Sequence, residues 1–355
     1  MYVVCEGADR VVLVRFGAAG GRVEKDISTA TIASDISGPH GIVAAPDRSA
    51  YYVTLGHGRP FGSAQKYSAG EDKLRGEVTL GNFPATVDVT PDGNFIFAVN
   101  FNLHGDMVAS SVSVVETSAM LEVARIPTCV MPHGSRINPA GTEQYSACMM
   151  NDTLVEIDTR ALRVARYFRL TRGEEKGTVV SANDAKARAS GAGGGLGASV
   201  ISTVMRNECS PTWAQPSADG HQIYVACNKS NEIVEVDADT WSLVRRLPAG
   251  KGVYNLAVTG DQRLVATNKR DASASVFDLK DGKEIARVAT RGTIVHGVVV
   301  SPDNRYAFIT TEGVGTAPGT VERLNLRTLK MDGVVDVPPQ AAGIAFWKIE
   351  PETAN

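Results

Sequence analysis

Pro39-His40-Gly41-Ile42-Val43-Ala44-Ala45-Pro46-Asp47 opens a phrase that the chain uses seven times: a short apolar strand, a Ser/Thr-Pro-Asp-Gly-like turn, an aromatic-rich strand and a polar loop. The later copies start at Pro84-Ala85-Thr86, Pro132-His133-Gly134, Pro211-Thr212-Trp213, Val253-Tyr254-Asn255, Val295-His296-Gly297 and Ala341-Ala342-Gly343. Their central residues are spaced by 45, 48, 79, 42, 42 and 46. All but one of these intervals fit the roughly 40–50-residue period of a propeller blade.

Within a copy, the turn chemistry of Pro91-Asp92-Gly93, Pro139-Ala140-Gly141, Ala218-Asp219-Gly220 and Pro302-Asp303-Asn304 separates the first strand from the second. Second strands such as Gln222 to Cys227 alternate β-branched and aromatic residues. Third strands such as Leu154 to Asp158 and Ile233 to Asp237 follow, then fourth strands such as Arg163 to Arg169 and Ser242 to Leu247. Helical periodicity is absent. The chain starts on a second strand, Tyr2 to Cys5, and ends after a first strand, Gly343 to Trp347. The expectation is an all-β, seven-bladed β-propeller of four-stranded antiparallel blades. It forms one domain over residues 1–355, closed where the C-terminal strand joins the N-terminal blade.

Bulk composition narrows the function. A net charge of −3 with no basic stripe speaks against nucleic acid as a partner. No run of about 18 apolar residues offers a membrane span. No signal peptide precedes Tyr2, so the expected location is cytoplasmic, or periplasmic or secreted if a leader has been removed. Five cysteines do not make a disulfide framework in a chain of 355 residues. Cys5, Cys148 and Cys227 share one repeat position and read as small buried strand residues. Cys129 and Cys209 flank neighbouring inner strands, where a bond between them is open.

Three copies place a histidine at the same position: His40, His133 and His296. A repeat that returns on itself turns equivalent positions into a ring, so these imidazoles point at one another. Converging imidazoles suit copper, zinc or non-haem iron and leave coordination positions open for substrate. His57 and His104 fall in loops after second strands, on the same face, and join the candidate metal set. Tyr254 on the ring and Glu312 near it are candidate catalytic groups, for proton donation and for orienting a histidine. The plain alternative is a set of side chains that only fill the channel.

The interval of 79 residues contains an insertion, Thr171 to Glu208, with the glycine-rich run Gly191 to Gly197. It has no phosphate-loop ending. Lying between a fourth strand and the inner strand at Thr212, it is expected on the same face as the histidines, as a mobile cover. Met205 and Cys209 at its end are soft donors that would favour copper.

The second strands Tyr2-Val3-Val4-Cys5, Tyr52-Val53-Thr54-Leu55 and Tyr224-Val225-Ala226-Cys227, with the endings Glu156-Ile157-Asp158 and Glu235-Val236-Asp237, resemble the YVTN family of seven-bladed propellers along essentially the whole chain. That resemblance implies the fold, and a fold of this kind hosts many activities. The inward histidines are similar in principle to those of the propeller of nitrous oxide reductase, which hold copper, although its full histidine set is not present. The leading expectation is a metal-dependent oxidoreductase, with copper as the metal and iron or zinc as alternatives. It would act on a small-molecule substrate, with a redox partner protein. Other readings are a haem- or tetrapyrrole-binding propeller like those related to nitrite reductase, a metal-assisted lyase or lactonase, and a non-enzymatic binding propeller.

Overall fold

The computed structural model describes residues 1–18, 20–30, 36–57, 61–181 and 207–350. Seven antiparallel sheets follow one another around a central axis. Blade 1 is Pro39–Ala44, Ala50–Leu55, Ser63–Ser68 and Leu74–Thr79. Blades 2 to 6 have inner strands Pro84–Val89, Pro132–Ile137, Pro211–Pro216, Val253–Val258 and Ile294–Val300. Blade 7 is split as expected: Ala341–Ala345 pairs antiparallel with Tyr2–Cys5, with Tyr2 opposite Ala345 and Val3 opposite Ile344. The only helix among the described residues is the single 3-10 turn Glu6–Ala8, so no helix is long and apolar enough to cross a membrane.

The core lies between blades. Seven apolar clusters each join two neighbouring sheets. Between blades 2 and 3, for example, Phe97, Val99 and Val114 pack on Ile137, Val155 and Ile157. The closing cluster sets Tyr2, Val4 and Val11 of blade 7 against Ile42, Tyr51 and Val53 of blade 1. Each blade is buried only by its neighbours, which is why the ring must close.

The inner strands carry the feature that makes the site. In all seven blades the pairing of first and second strand shifts register at the ring residue: between Pro39 and Ile42, Pro84 and Thr86, Pro132 and Ser135, Pro211 and Trp213, Val253 and Leu256, Val295 and Val298, and opposite Val3 and Cys5. A bulge frees a residue from the ladder and re-aims its side chain. The ring carbonyls freed in this way are taken up by the preceding blade. Thr310 Oγ1 donates to Ala342 O at 2.6 Å, Thr267 to His296 O at 2.8 Å, Thr212 to Tyr254 O at 2.8 Å and Thr54 to Ala85 O at 3.4 Å. Thr86 Oγ1 donates to His133 O, and the imidazole of His133 to Thr212 O. In blades 1, 3, 6 and 7 glycine follows the ring residue, and this approach requires it there. A Cβ on Gly134 would stand 2.3 Å from Thr212 O, and one on Gly297 2.6 Å from Ala342 O.

One expectation is corrected. Cys129 bonds Cys148, and Cys209 bonds Cys227; only Cys5 is free and buried. A Cys129–Cys209 bond is therefore ruled out, and Cys148 and Cys227 are not inert thiols. Each bridge ties a residue shortly ahead of an inner strand to the end of the second strand that follows it; Cys129 itself sits in the fourth strand of blade 2, Leu121–Val130, so its bridge to Cys148 also ties blade 2 to blade 3. In blade 2 the same two positions are Gly81 and Asn100, joined by Gly81 N donating to Asn100 Oδ1 at 3.0 Å. The insertion opens with Lys176–Val179, which adds a fifth strand to the outer edge of blade 3, paired with Arg163–Arg169. Both ends of the insertion are pinned by the buried Asp152. Its carboxylate accepts Thr171 Oγ1 and the backbone N–H groups of Glu208, Cys209 and Ser210. Gly191 to Gly197 and Met205 lie outside the described residues.

Thr310→Val keeps the shape of the side chain but leaves Gly297 N–H and Ala342 O without their shared partner. The expected loss is about 1–3 kcal/mol, the cost of unpaired buried polar groups, read as a lower urea midpoint. An unchanged midpoint would show that these bridges do not hold the ring.

Candidate functional site

The order around the ring is His40, Ala85, His133, Thr212, Tyr254, His296, Ala342, one residue per blade. Alanine stands on either side of His40. The large imidazoles of alternate blades therefore meet across small neighbours. The His40 ring lies 5.5 Å from His296 and 6.2 Å from His133, centroid to centroid, edge to face in both cases. Tyr254 fills the remaining side, 4.8 Å from His296 and 5.5 Å from His133.

Two of the imidazoles have an acceptor on Nδ1. His40 Nδ1 donates to Glu6 Oε2 at 2.6 Å, and His133 Nδ1 to Thr212 O at 2.9 Å. His296 Nδ1 is buried with no hydrogen-bond partner. On the other side, His40 Nε2 is buried with no partner, and His133 Nε2 accepts the Tyr254 hydroxyl at 3.1 Å. His296 Nε2 lies 3.8 Å from Glu312 Oε1. A carboxylate or carbonyl on one ring nitrogen fixes the tautomer and leaves the other nitrogen's lone pair inward.

A second ring stands above the first, formed at the end of each second strand: Glu6, Gly56, Phe101, Met149, Asn228 and Lys269 directly follow theirs, and Glu312 is the last residue of Tyr306–Glu312. Between the two rings is a cavity of about 230 Å³. Phe101 and Met149 of blades 2 and 3 wall one side, joined by Phe83 and Leu103. Glu6, Lys269 and Glu312 of blades 7, 5 and 6 wall the other. Phe83 and Gln340, which also line it, share a rim position two residues before the ring. Its backbone is left-handed at Phe83, Met131, Ser210 and Gln340, and glycine stands there at Gly38 and Gly252. Under the imidazoles the channel narrows to about 20 Å³ between Arg136, Trp213 and Asn255, room for about one water.

The charges are paired. Lys269 Nζ donates to Glu312 Oε1 at 2.7 Å and sits 4.4 Å above the Tyr254 ring. Burial pushes the Lys269 ammonium down, but Tyr254, Glu312 and Glu6 outweigh it and hold the group above its usual range. Burial likewise pushes the Glu6 carboxyl up, and the charge and hydrogen bond of His40, with His57, bring it well below the usual carboxylate range. Burial raises Tyr254, so its hydroxyl keeps its proton.

Of the sequence candidates, the structure brings together His40, His133, His296 and Tyr254, with Glu312 just above. His57 and His104 are not in that group. His57 Nε2 donates to the far oxygen of Glu6 at 2.8 Å, and His104 stacks on His57 at 5.9 Å toward the outside. His221 is on the opposite face with Asp239. Among the described residues, no group of three or more His, Cys, Asp or Glu side chains is already gathered at metal-holding spacing. Lys269, Phe101, Met149 and the bridging role of Glu6 were missed in the sequence reading.

His133 is lowered to about 3 by burial, then by His40 and Lys269, and His296 is lowered well below its usual value, first by burial. His57 is raised, chiefly by its bond to Glu6. A depressed base binds protons in the unfolded chain first. Stability is therefore expected to fall as pH drops below about 6.5, by roughly 1.4 kcal/mol per pH unit for each buried histidine. The check is NMR titration: His133 and His296 should stay neutral at pH 5, while His57 carries its proton.

Comparison with protein-family models finds no match, and comparison with curated proteins finds none either.

Proposed function

We propose that this propeller is a metal-dependent oxidoreductase of YVTN type, in which Nε2 of His40, His133 and His296 holds one copper ion, with iron or zinc as alternatives. The observation that carries the reading is the convergence of the three imidazoles, two of them held from behind. The His40 ring lies 5.5 Å from His296 and 6.2 Å from His133, and Nδ1 of His40 and of His133 is bonded to a carboxylate and to a carbonyl. The inward Nε2 of His40 has no partner at all. Neutral imidazoles oriented from behind are what a metal site asks of histidine. The Met149 thioether on the cavity wall favours copper among the metals that imidazole suits.

A copper ion there would supply one-electron chemistry to a small molecule in the cavity. The chain's own groups do the rest. Glu6 orients His40 and is itself held by His57. Tyr254 presents a protonated hydroxyl at the boundary between imidazoles and cavity, and is placed to give a proton to a bound molecule. The Lys269–Glu312 pair fixes Tyr254 from above. The cavity volume favours a small substrate over a tetrapyrrole. Two disulfides favour an oxidising compartment, so a periplasmic or secreted location is part of the proposal.

One observation favours a second reading, a metal-free binding or lyase site: Tyr254, Lys269 and Glu312 gather on one wall of the cavity, with Lys269 Nζ 4.4 Å from the Tyr254 ring centroid and 2.7 Å from Glu312 Oε1. Copper titration separates the two. The expected result is one copper per chain, abolished in His133→Ala and in His296→Ala with the β-sheet spectrum intact, and weakened roughly 10–100-fold in Glu6→Gln. Unchanged copper content in His133→Ala, or none in the native chain, would favour the metal-free reading.

A further inference from the structure

The second ring divides by chemistry around the axis, and this division specifies the occupant of the cavity. We infer that the cavity takes a neutral hydroxylated arene, a single aromatic ring bearing hydroxyl groups, with its ring against Phe101 and Met149 and its hydroxyls toward Tyr254 and the Lys269–Glu312 pair. The inference rests on the reading that this cavity is the substrate chamber of the site.

Three observations lead there. The first is size. An apolar cavity of about 150 Å³ accommodates benzene, so about 230 Å³ accommodates one ring with polar substituents and no second ring system of similar bulk. The second is the apolar wall. Phe101 and Phe83 meet edge to face at 5.9 Å, and Phe101 meets His133 in the same way at 4.8 Å, so the wall is an array of tilted aromatic rings. Such a wall favours another aromatic ring over an aliphatic one, and the Met149 thioether adds a sulfur–aromatic contact.

The third is charge. Glu6 is bonded to two imidazoles and Lys269 to Glu312, so no charged group on the polar wall lacks a hydrogen-bonding partner. A carboxylate on the ligand would face Glu6 and Glu312. An ammonium would face Lys269. A hydroxyl, which both donates and accepts, matches the Tyr254 hydroxyl and the exposed parts of the Lys269–Glu312 pair at no such cost.

The test uses the whole chain, metal-free and copper-loaded, with resorcinol, cyclohexanol, benzoate and benzylamine titrated by calorimetry. Resorcinol is expected to bind the metal-free chain at least roughly threefold to tenfold more tightly than any of the other three, the span that one aromatic contact supplies. Phe101→Leu should reduce its affinity by a similar factor. A second readout does not depend on that variant: resorcinol should move the Met149 methyl NMR signal by its ring current, and cyclohexanol should not. Equal or tighter binding of cyclohexanol, benzoate or benzylamine would overturn the inference, as would an unmoved Met149 methyl or no resorcinol binding. Copper content measured on the same samples keeps the two claims apart. Failed arene binding with one copper retained removes the substrate class alone. Arene binding without copper removes the metal reading alone.

Discussion

The structure depends on how one backbone carbonyl per blade is satisfied at the axis. Seven inner strands crowd around a narrow channel, and each is bulged at the ring residue, so the carbonyl there cannot rely on its own sheet. Six of these carbonyls, those of Ala85, His133, Thr212, Tyr254, His296 and Ala342, accept a side-chain hydrogen bond from the blade before them. The seventh, at His40, meets the closing blade, where Val4 stands in place of a threonine and Gly343 brings the strands together. Unpaired buried carbonyls are costly, so the bulge and the side-chain donor of the preceding blade form one unit, joined in blades 1, 3, 6 and 7 by the glycine after the ring residue. That unit re-aims the ring side chain toward the axis. The same interaction that joins the blades therefore presents the imidazoles, and at His133 the imidazole itself serves as the bridge.

The site follows as a two-storey arrangement. The lower ring sets Ala342, Ala85 and Thr212 between its large residues, with only Tyr254 and His296 adjacent, so that three imidazoles and one phenol meet where seven large side chains could not. The upper ring separates apolar blades 2 and 3 from charged blades 5, 6 and 7. Glu6 links the two storeys through its bonds to His40 and His57. His57 thus serves the site by holding Glu6, and His104 by packing on His57.

Much of this is legible in the sequence because a repeat writes the same physics several times. The Pro-His-Gly phrases and their period give the seven blades, the split closure and the convergence of His40, His133 and His296. The upper ring was legible too, since Glu6, Phe101, Met149 and Lys269 directly follow a second strand and Glu312 ends one, but it escapes a reading that seeks only metal ligands. The disulfides carried a signal in their separations, 19 for Cys129–Cys148 and 18 for Cys209–Cys227, in consecutive blades. Comparing Cys129 with Cys209 instead compares equivalent positions of two blades, which the ring keeps apart. The fifth strand, Lys176–Val179, had no such signal. It sits on an exposed edge, so no apolar alternation marks it.

The central claim is that the bulged ring brings three imidazoles to bear on a single ion. The most direct measurement is a crystal structure of the copper-soaked protein with anomalous scattering at the copper edge. The account predicts one peak on the channel axis, about 2.0 Å from Nε2 of His40, His133 and His296. A peak held instead by His57 and His104 at the rim, or no peak on the axis, would contradict it.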